Sequence, residues 1–327
     1  MHLITIDYET ICLNCQQKGY NFGHSFKNIK FKGISVMDMP SEYLNGPFFS
    51  FIYNTTPILI RNLENAHEIS PNPEEPIFQL LNVKKNENCT KTKFTFRYNL
   101  QFHPNIQINT TEPQEILIYI DMYQFPNRPY FFMFYSYRNL TNHPITQINF
   151  FNIFDFDIYG QDSYDQDQAN YVPELDVIEQ FDSKKGLDNS IFAGFGSISD
   201  LNPNFHECQT PNEISSHTFD YRGKSIKSLD IKEGRLNLRN ISNWGPGDCA
   251  IGLQWYRKQL DPNGTLTFPI MMVFGEGEKK FRKNCLIARE HLEKIYPTIQ
   301  KEININSRQD LDTKLEKMSF STREWCK

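Results

Sequence analysis

The chain has 327 residues, 39% of them hydrophobic and 22% charged, with a formal net charge of −5 and a pI of about 5.9. This composition suits a globular core, and the acidic balance excludes nucleic acid as the main partner, because phosphate binding needs a basic surface. No apolar run reaches the roughly 18 residues that suggest a membrane span, so no membrane partner is expected.

The opening segment, MHLITIDYETICLNC, has neither a basic n-region nor a long apolar core. It is no recognisable secretion signal, and the expected location is the cytoplasm. Seven scattered cysteines, an odd number, fit reduced thiols better than a disulfide framework. Six N-x-S/T sequons, Asn54-Thr55-Thr56 among them, carry little weight in so Asn-rich a chain. Cys12 and Cys15 have zinc-knuckle spacing, but a structural zinc site needs four ligands. No second C-x-x-C follows, and His24 is the nearest further candidate. The reading is incidental thiols.

Up to about residue 280 the chain reads as strands, with aromatic and β-branched residues between recurrent turn signals. His67–Pro76 reads as an exposed loop. Lys93–Phe102 alternates Phe94, Phe96, Tyr98, Leu100 and Phe102, the pattern of a half-buried antiparallel strand. Glu115–Phe125 is similar. Tyr130–Leu140 is apolar almost throughout, which implies burial on both faces, and Pro126–Pro129 links the two as a turn. Two more strands flank a short loop at Asp261–Gly264. Ile251, Leu253 and Trp255 share one face there, so Trp255 belongs in the core. Gly275–Glu278 fits neither a Walker nor a dinucleotide loop and reads as a turn.

Beyond Gly277 the character changes. Phe281, Leu286, Ala288, Leu292 and Ile295 recur at helical spacing, Pro297 is expected to end or kink that helix, and Arg308–Met318 reads as another. The expected organisation is a β domain over 1–278 and a helical linker or tail over 279–327. So many strands in one domain imply two stacked sheets, with a closed barrel as the alternative. The fold class is mainly β: a two-layer antiparallel β-sandwich followed by a short α-helical tail.

Phe154–Tyr171 gathers Asp155, Asp157, Asp162, Asp165 and Asp167 within thirteen positions. Closely spaced carboxylates can ligate calcium. EF-hand spacing from Asp155 fails, because Tyr159 falls at position 5 and Gln166 stands at position 12, where a bidentate Glu is required. A different calcium loop stays open, as does the plainer reading, a strand end running into a solvated acidic loop. No cofactor is required by anything else in the chain. There is no nucleophile elbow and no H-E-x-x-H helix. His206, His217 and Glu207 can be nominated for an acid–base pair of the sugar-epimerase kind, though each also reads as an ordinary loop residue. Trp244 and Tyr256 stand near strand ends, where exposed rings can stack on sugars.

The order of several segments carries a resemblance: the Asp155-Phe156-Asp157 strand end, the acidic loop after it, GRLN at 234–237, GDCAIGLQW at 247–255, and the hairpin through LDPNGTL at 260–266. Across roughly residues 115–280 the chain resembles the N-terminal β-supersandwich domain, with a galactose-mutarotase-like fold, of prokaryotic glucoamylase-like proteins of glycoside hydrolase family fifteen. The resemblance implies a non-catalytic domain that supports a catalytic barrel, on the same chain or on a separate subunit, and contacts an α-glucan. Tyr159, Tyr164, Tyr171 and Trp244 are then candidates for carbohydrate or domain contact. The family's catalytic carboxylates lie in the barrel, and no residue of this chain matches them. An inverting glycosidase pair needs room for a water between its carboxyls, and no such pair can be assigned. The alternative is a free-standing aldose mutarotase or epimerase-like enzyme, or a carbohydrate-binding protein.

Overall fold

The computed structural model describes residues 3–13, 21–38, 46–60, 78–85, 91–102, 106, 114–160, 163–210, 214 and 237–318. These form seventeen strands and one long α-helix.

β1 (Ile4–Leu13), β2 (Asn21–Phe31) and β3 (Ile34–Asp38) make a small antiparallel sheet. The remaining strands are β4 (Gly46–Tyr53), β5 (Thr56–Ile60), β6 (Phe78–Lys85), β7 (Lys91–Asn99), β8 (Glu115–Gln124), β9 (Tyr130–Asn139), β10 (Ile145–Phe154), β11 (Asp167–Val172), β12 (Val177–Asp182), β13 (Ile191–Gly196), β14 (Phe205–Gln209), β15 (Asn243–Trp244), β16 (Ala250–Leu260) and β17 (Thr265–Glu276). They divide into two sheets, one ordered β14-β16-β10-β4-β5 and the other β15-β11-β12-β13-β17-β9-β8-β7-β6. All the strand pairs are antiparallel.

The two large sheets face each other across an aromatic core. Phe150 of β10 stacks on Phe268 of β17 with centroids 4.4 Å apart, and Phe49 of β4 stacks on Tyr137 of β9 at 3.7 Å. Trp255 joins this layer, fully buried, and donates its indole N–H to the Leu201 carbonyl at 2.7 Å. β7 alternates as its sequence dictates, with Phe94, Phe96 and Tyr98 turned into this core. It stops at Asn99, earlier than expected. The Asn99 side chain accepts from the Gln101 amide at 3.0 Å, and the backbone turns into a short 3-10 helix over Leu100–Phe102. This is the usual competition of Asn with a ladder. β9 is buried along its whole length, on both faces as expected. One face meets the other sheet and the other lies beneath the helix.

That helix, α1 (Glu278–Met318), is one continuous element that runs through Pro297. Pro297 faces solvent, so the carbonyl deprived of its helical N–H partner can be hydrated, and the turn survives. Phe281, Cys285, Ala288, Leu292, Ile299 and Ile303 are buried against the outer face of the nine-stranded sheet. Most of the expected stripe therefore has its partner within the chain, but Leu286, five residues beyond Phe281 and so turned to the outer side of the helix, is 52% exposed. Full burial of Phe281 and of Leu292 each stabilises the fold by about 1.5–3 kcal/mol. Close approach needs missing side chains: a Cβ on Gly275 would lie 2.5 Å from the Phe281 Cα. The Asn284 amide donates to the Phe274 carbonyl at 2.8 Å and fixes the helix start.

Candidate functional site

The acidic segment begins where β10 ends. Its backbone curls tightly, with the Gly160 amide donating to the Asp157 carbonyl at 2.9 Å and Tyr159 held at φ 71°. Asp157 and Asp167 are buried, which overturns the picture of a solvated loop. Only Asp165 faces solvent freely, and Asp162 lies outside the described residues. Asp167 enters the sandwich because β11 alternates Asp167, Ala169 and Tyr171 toward the interior. Its Oδ2 accepts from the Ile158 amide at 3.2 Å and from Gln180 Nε2 at 2.9 Å. Gln180 also grips the Phe156 backbone, accepting from its N–H at 3.4 Å and donating to its carbonyl. The acidic loop is thus tied to β12 through one amide side chain.

Burial pushes the Asp167 carboxyl up to about 8, partly offset by those two donors. Asp155 is raised well above the usual carboxylate range by burial, then by its neighbours Asp157, Asp248 and Asp167. Asp248, at the rim of the cluster, is raised by burial as well. Among the described residues no group of three His, Cys, Asp or Glu side chains is placed to hold a metal ion. Asp167 Oδ2 is committed to two N–H donors, and its burial favours a bound proton.

Tyr159 is a clasp. Its hydroxyl donates to the Asn189 carbonyl at 3.3 Å and accepts from the Ile191 amide at 3.0 Å, while Lys185 Nζ stands 5.1 Å from its ring centroid. The hydroxyl is thus fixed by two hydrogen bonds and a cation stands over the ring. The Tyr164 side chain lies outside the described residues.

Tyr171 and Trp244 come together with a residue from the other sheet. Ala169 of β11 lies opposite Trp244 of β15, and the Tyr171 amide donates to the Ser242 carbonyl at 2.7 Å, so these side chains share one face. β14, the edge of the five-stranded sheet, brings His206 against them. Its imidazole stacks on Tyr171 with centroids 3.9 Å apart, and its Nε2 shares a 2.8 Å hydrogen bond with Ser242 Oγ. The Tyr171 hydroxyl donates to Asp176 Oδ1 at 2.8 Å, which fixes the ring. Burial lowers the pKa of His206, against the pull of Glu207, so the imidazole is neutral at pH 7. Trp244 beside this stack is 36% exposed. Ser242 and Asn240 line the same edge and are also exposed, whereas Asn243 alternates to the other face, opposite Asn170.

Glu207 does not join His206. Strand alternation turns it the other way, fully buried, where its Oε1 meets Arg239 Nη2 at 2.5 Å and its Oε2 accepts from the Arg239 amide at 2.9 Å. Glu207 is spent on an internal ion pair, and His217 lies outside the described residues. The sequence reading does not single out Asp176, Ser242, Gln180 or Asp248. For Asp248 the glycines and proline of Gly245-Pro246-Gly247 are a signal of a tight turn, and Gly247 does donate to the Asp167 carbonyl at 2.9 Å.

No family model matches the chain, and no curated protein matches it. Among solved structures, a polysaccharide lyase aligns at 9% identity and a TM-score of 0.42, over 88% of this chain and 35% of that one. A protein titled as a kojibiose phosphorylase from human microbiome aligns at 10% identity and a TM-score of 0.38, over 88% and 28%. A galactose mutarotase-like protein from Lactobacillus casei aligns at 8% and 0.38, over 83% and 100%. The chain spans about a third of the length of the first two. Alignments this loose do not fix a function.

Proposed function

We propose that the chain is a carbohydrate-contacting β-sandwich module with no catalytic pair of its own. The observation that carries this reading is the edge where the two large sheets meet: Trp244 exposed beside the Tyr171–His206 stack, with Ser242 and Asn240 bonded to His206. Aromatic faces cover the apolar face of a sugar ring, and amides and hydroxyls take its hydroxyl groups. The rings are fixed in advance by Asp176 and Ser242, which lowers the ordering cost of binding. Against an enzyme stands Glu207, whose carboxylate is closed off by Arg239. An α-glucan and a catalytic barrel partner, in the manner of the glucoamylase-like proteins, are the finer form of the same proposal. The amphipathic helix gives little support to the barrel, because the sheet covers its apolar stripe except at Leu286.

One observation favours a mutarotase-like enzyme as a second reading. Asp155 and Asp248 are coupled carboxyls with raised pKa, and Asp248 stands four residues after Trp244. A carboxyl raised in this way beside an exposed aromatic ring is a candidate proton donor. Two measurements separate the readings. Titration with malto-oligosaccharides should change the emission of the exposed Trp244 while optical rotation of fresh α-glucose relaxes at the buffer rate. Accelerated mutarotation would favour the enzyme, and no change in emission with any sugar would remove the module reading.

A further inference from the structure

Trp244 stands on a strand of two residues at the edge of the nine-stranded sheet. β15 meets β11 through the pairs Asn243–Asn170 and Trp244–Ala169, and the Tyr171 amide adds its bond to the Ser242 carbonyl. So short a ladder holds a side chain weakly by itself. The turn that follows supplies the rest, and it closes on one residue. The Gly247 amide donates to the Asp167 carbonyl at 2.9 Å, and the Cys249 thiol donates to the same carbonyl at 3.2 Å. Gly245 lies so close to this backbone that a Cβ there would collide with the Asp167 carbonyl. The Cys249 thiol also reaches the Gly247 carbonyl at 3.2 Å, within the turn itself.

The side chain of the same residue points into the sandwich. Its Oδ2 is held by the Ile158 amide and by Gln180, while its buried Oδ1 has no hydrogen-bond partner among the described residues. In the β11–β12 ladder Asp167 lies directly opposite Asp182. Asp182 Oδ1 accepts from the Lys184 and Lys185 amides at 2.8 and 3.2 Å, bonds that suit a carboxylate. Asp155 and Asp157 face Asp167 from the end of β10, and the Cys249 thiol and Asp248 lie on the side of the turn. Among the described residues no Lys or Arg pairs with Asp167, and the Lys184 and Lys185 side chains are exposed. Like charges directly opposite in a ladder repel. With no cation at hand, the fold favours Asp167 as the neutral acid, in keeping with its titration at about 8.

We propose that Asp167 is the positioning residue of the Trp244 platform, and that the charge on its carboxyl sets how firmly the platform is held. The ligand rests on the carbohydrate reading above; the mechanics do not. With the carboxyl neutral, the start of β11 packs against β12 and its carbonyl holds the turn. An ionised carboxyl faces Asp182 across one ladder pair and Asp157 beside it, without a counter-ion. The start of β11 is then pushed away from β12, and the two bonds from Gly247 and Cys249 to its carbonyl are strained with it. Trp244 loses its fixed place beside the Tyr171–His206 stack. His206 is already neutral at pH 7 and does not contribute above it. The platform is therefore complete in mildly acidic solution and is lost as pH rises through about 8.

The test compares the full chain at about pH 7 and about pH 9, with Trp244→Phe as the blank for the other tryptophans. Maltoheptaose is the probe, followed by Trp244 emission. If only the neutral form of Asp167 holds the platform, binding is about tenfold weaker at the higher pH. Acrylamide should also quench Trp244 more strongly there, with no sugar present. Asp167→Asn keeps an acceptor for both donors and cannot ionise, so it should remove both changes. Asp182→Asn takes away the facing charge and can still accept from the Lys184 and Lys185 amides. It should move the midpoint of the quenching change to lower pH, and it serves as the test if Asp167→Asn does not fold. A pH response that Asp167→Asn leaves intact, or a midpoint that Asp182→Asn leaves in place, overturns the proposal. Equal affinity and equal quenching at both pH values overturn it too, and leave the carbohydrate reading standing. Absence of binding at either pH, with quenching that follows Asp167, upholds the positioning role and removes the carbohydrate reading alone.

Discussion

Asp167 shows what burial does to one side chain. Its pKa of about 8 in the folded protein stands far above the roughly 3.9 of an unfolded aspartate. The folded state thus holds more protons between these values. Its contribution to stability is complete below about pH 4 and is lost as pH rises through about 8. Glu179, buried under α1 and pushed up to about 7, has the same sign over a narrower window. Urea midpoints of the wild type should therefore fall from mildly acidic to mildly alkaline pH, and Asp167→Asn should flatten that fall. A wild-type midpoint that rises over this range would contradict the burial argument. The sequence hides this because the Asp-Gln alternation around 162–168 reads as solvated polarity. Only the pairing of β11 with β12 turns Asp167 inward, onto Gln180. The Tyr171–His206 stack is hidden for a related reason. Its members lie 35 positions apart on different sheets, and no local pattern connects them.

At the scale of elements, the aromatic alternation of β7 and the continuous apolar run of β9 identify strands and even the number of buried faces. The helix was legible as an amphipathic stripe, but its passage through Pro297 was not, since that depends on the proline facing water. The docking of α1 rests on missing side chains as much as on present ones. Gly275→Ala would place a methyl group 2.5 Å from the Phe281 Cα. The helix must shift, at a cost of about 1–3 kcal/mol, read as a lower urea midpoint. Phe281→Ala should cost about 3–5 kcal/mol, because the cavity under the helix adds to the lost transfer energy. Leu286→Ala, on the exposed side, should change stability by less than about 0.5 kcal/mol. Equal losses for Phe281→Ala and Leu286→Ala would mean that the helix does not pack as described.

For the whole molecule, two stacked antiparallel sheets follow from strand content. The division into five and nine strands does not, because β10 pairs with β4 and β16, both distant in sequence. That division decides the function proposed here. It puts β14 at one sheet edge and β11 and β15 at the other, and the aromatic platform exists only where these edges meet. The most direct test is native electrophoresis through gels with and without soluble starch, for the wild type and Trp244→Ala. The account predicts that starch retards the wild type and that the variant, melting at the same temperature, loses most of that retardation. A wild type unaffected by starch or glycogen, or a variant retarded equally, would contradict the claim that this edge contacts a glucan.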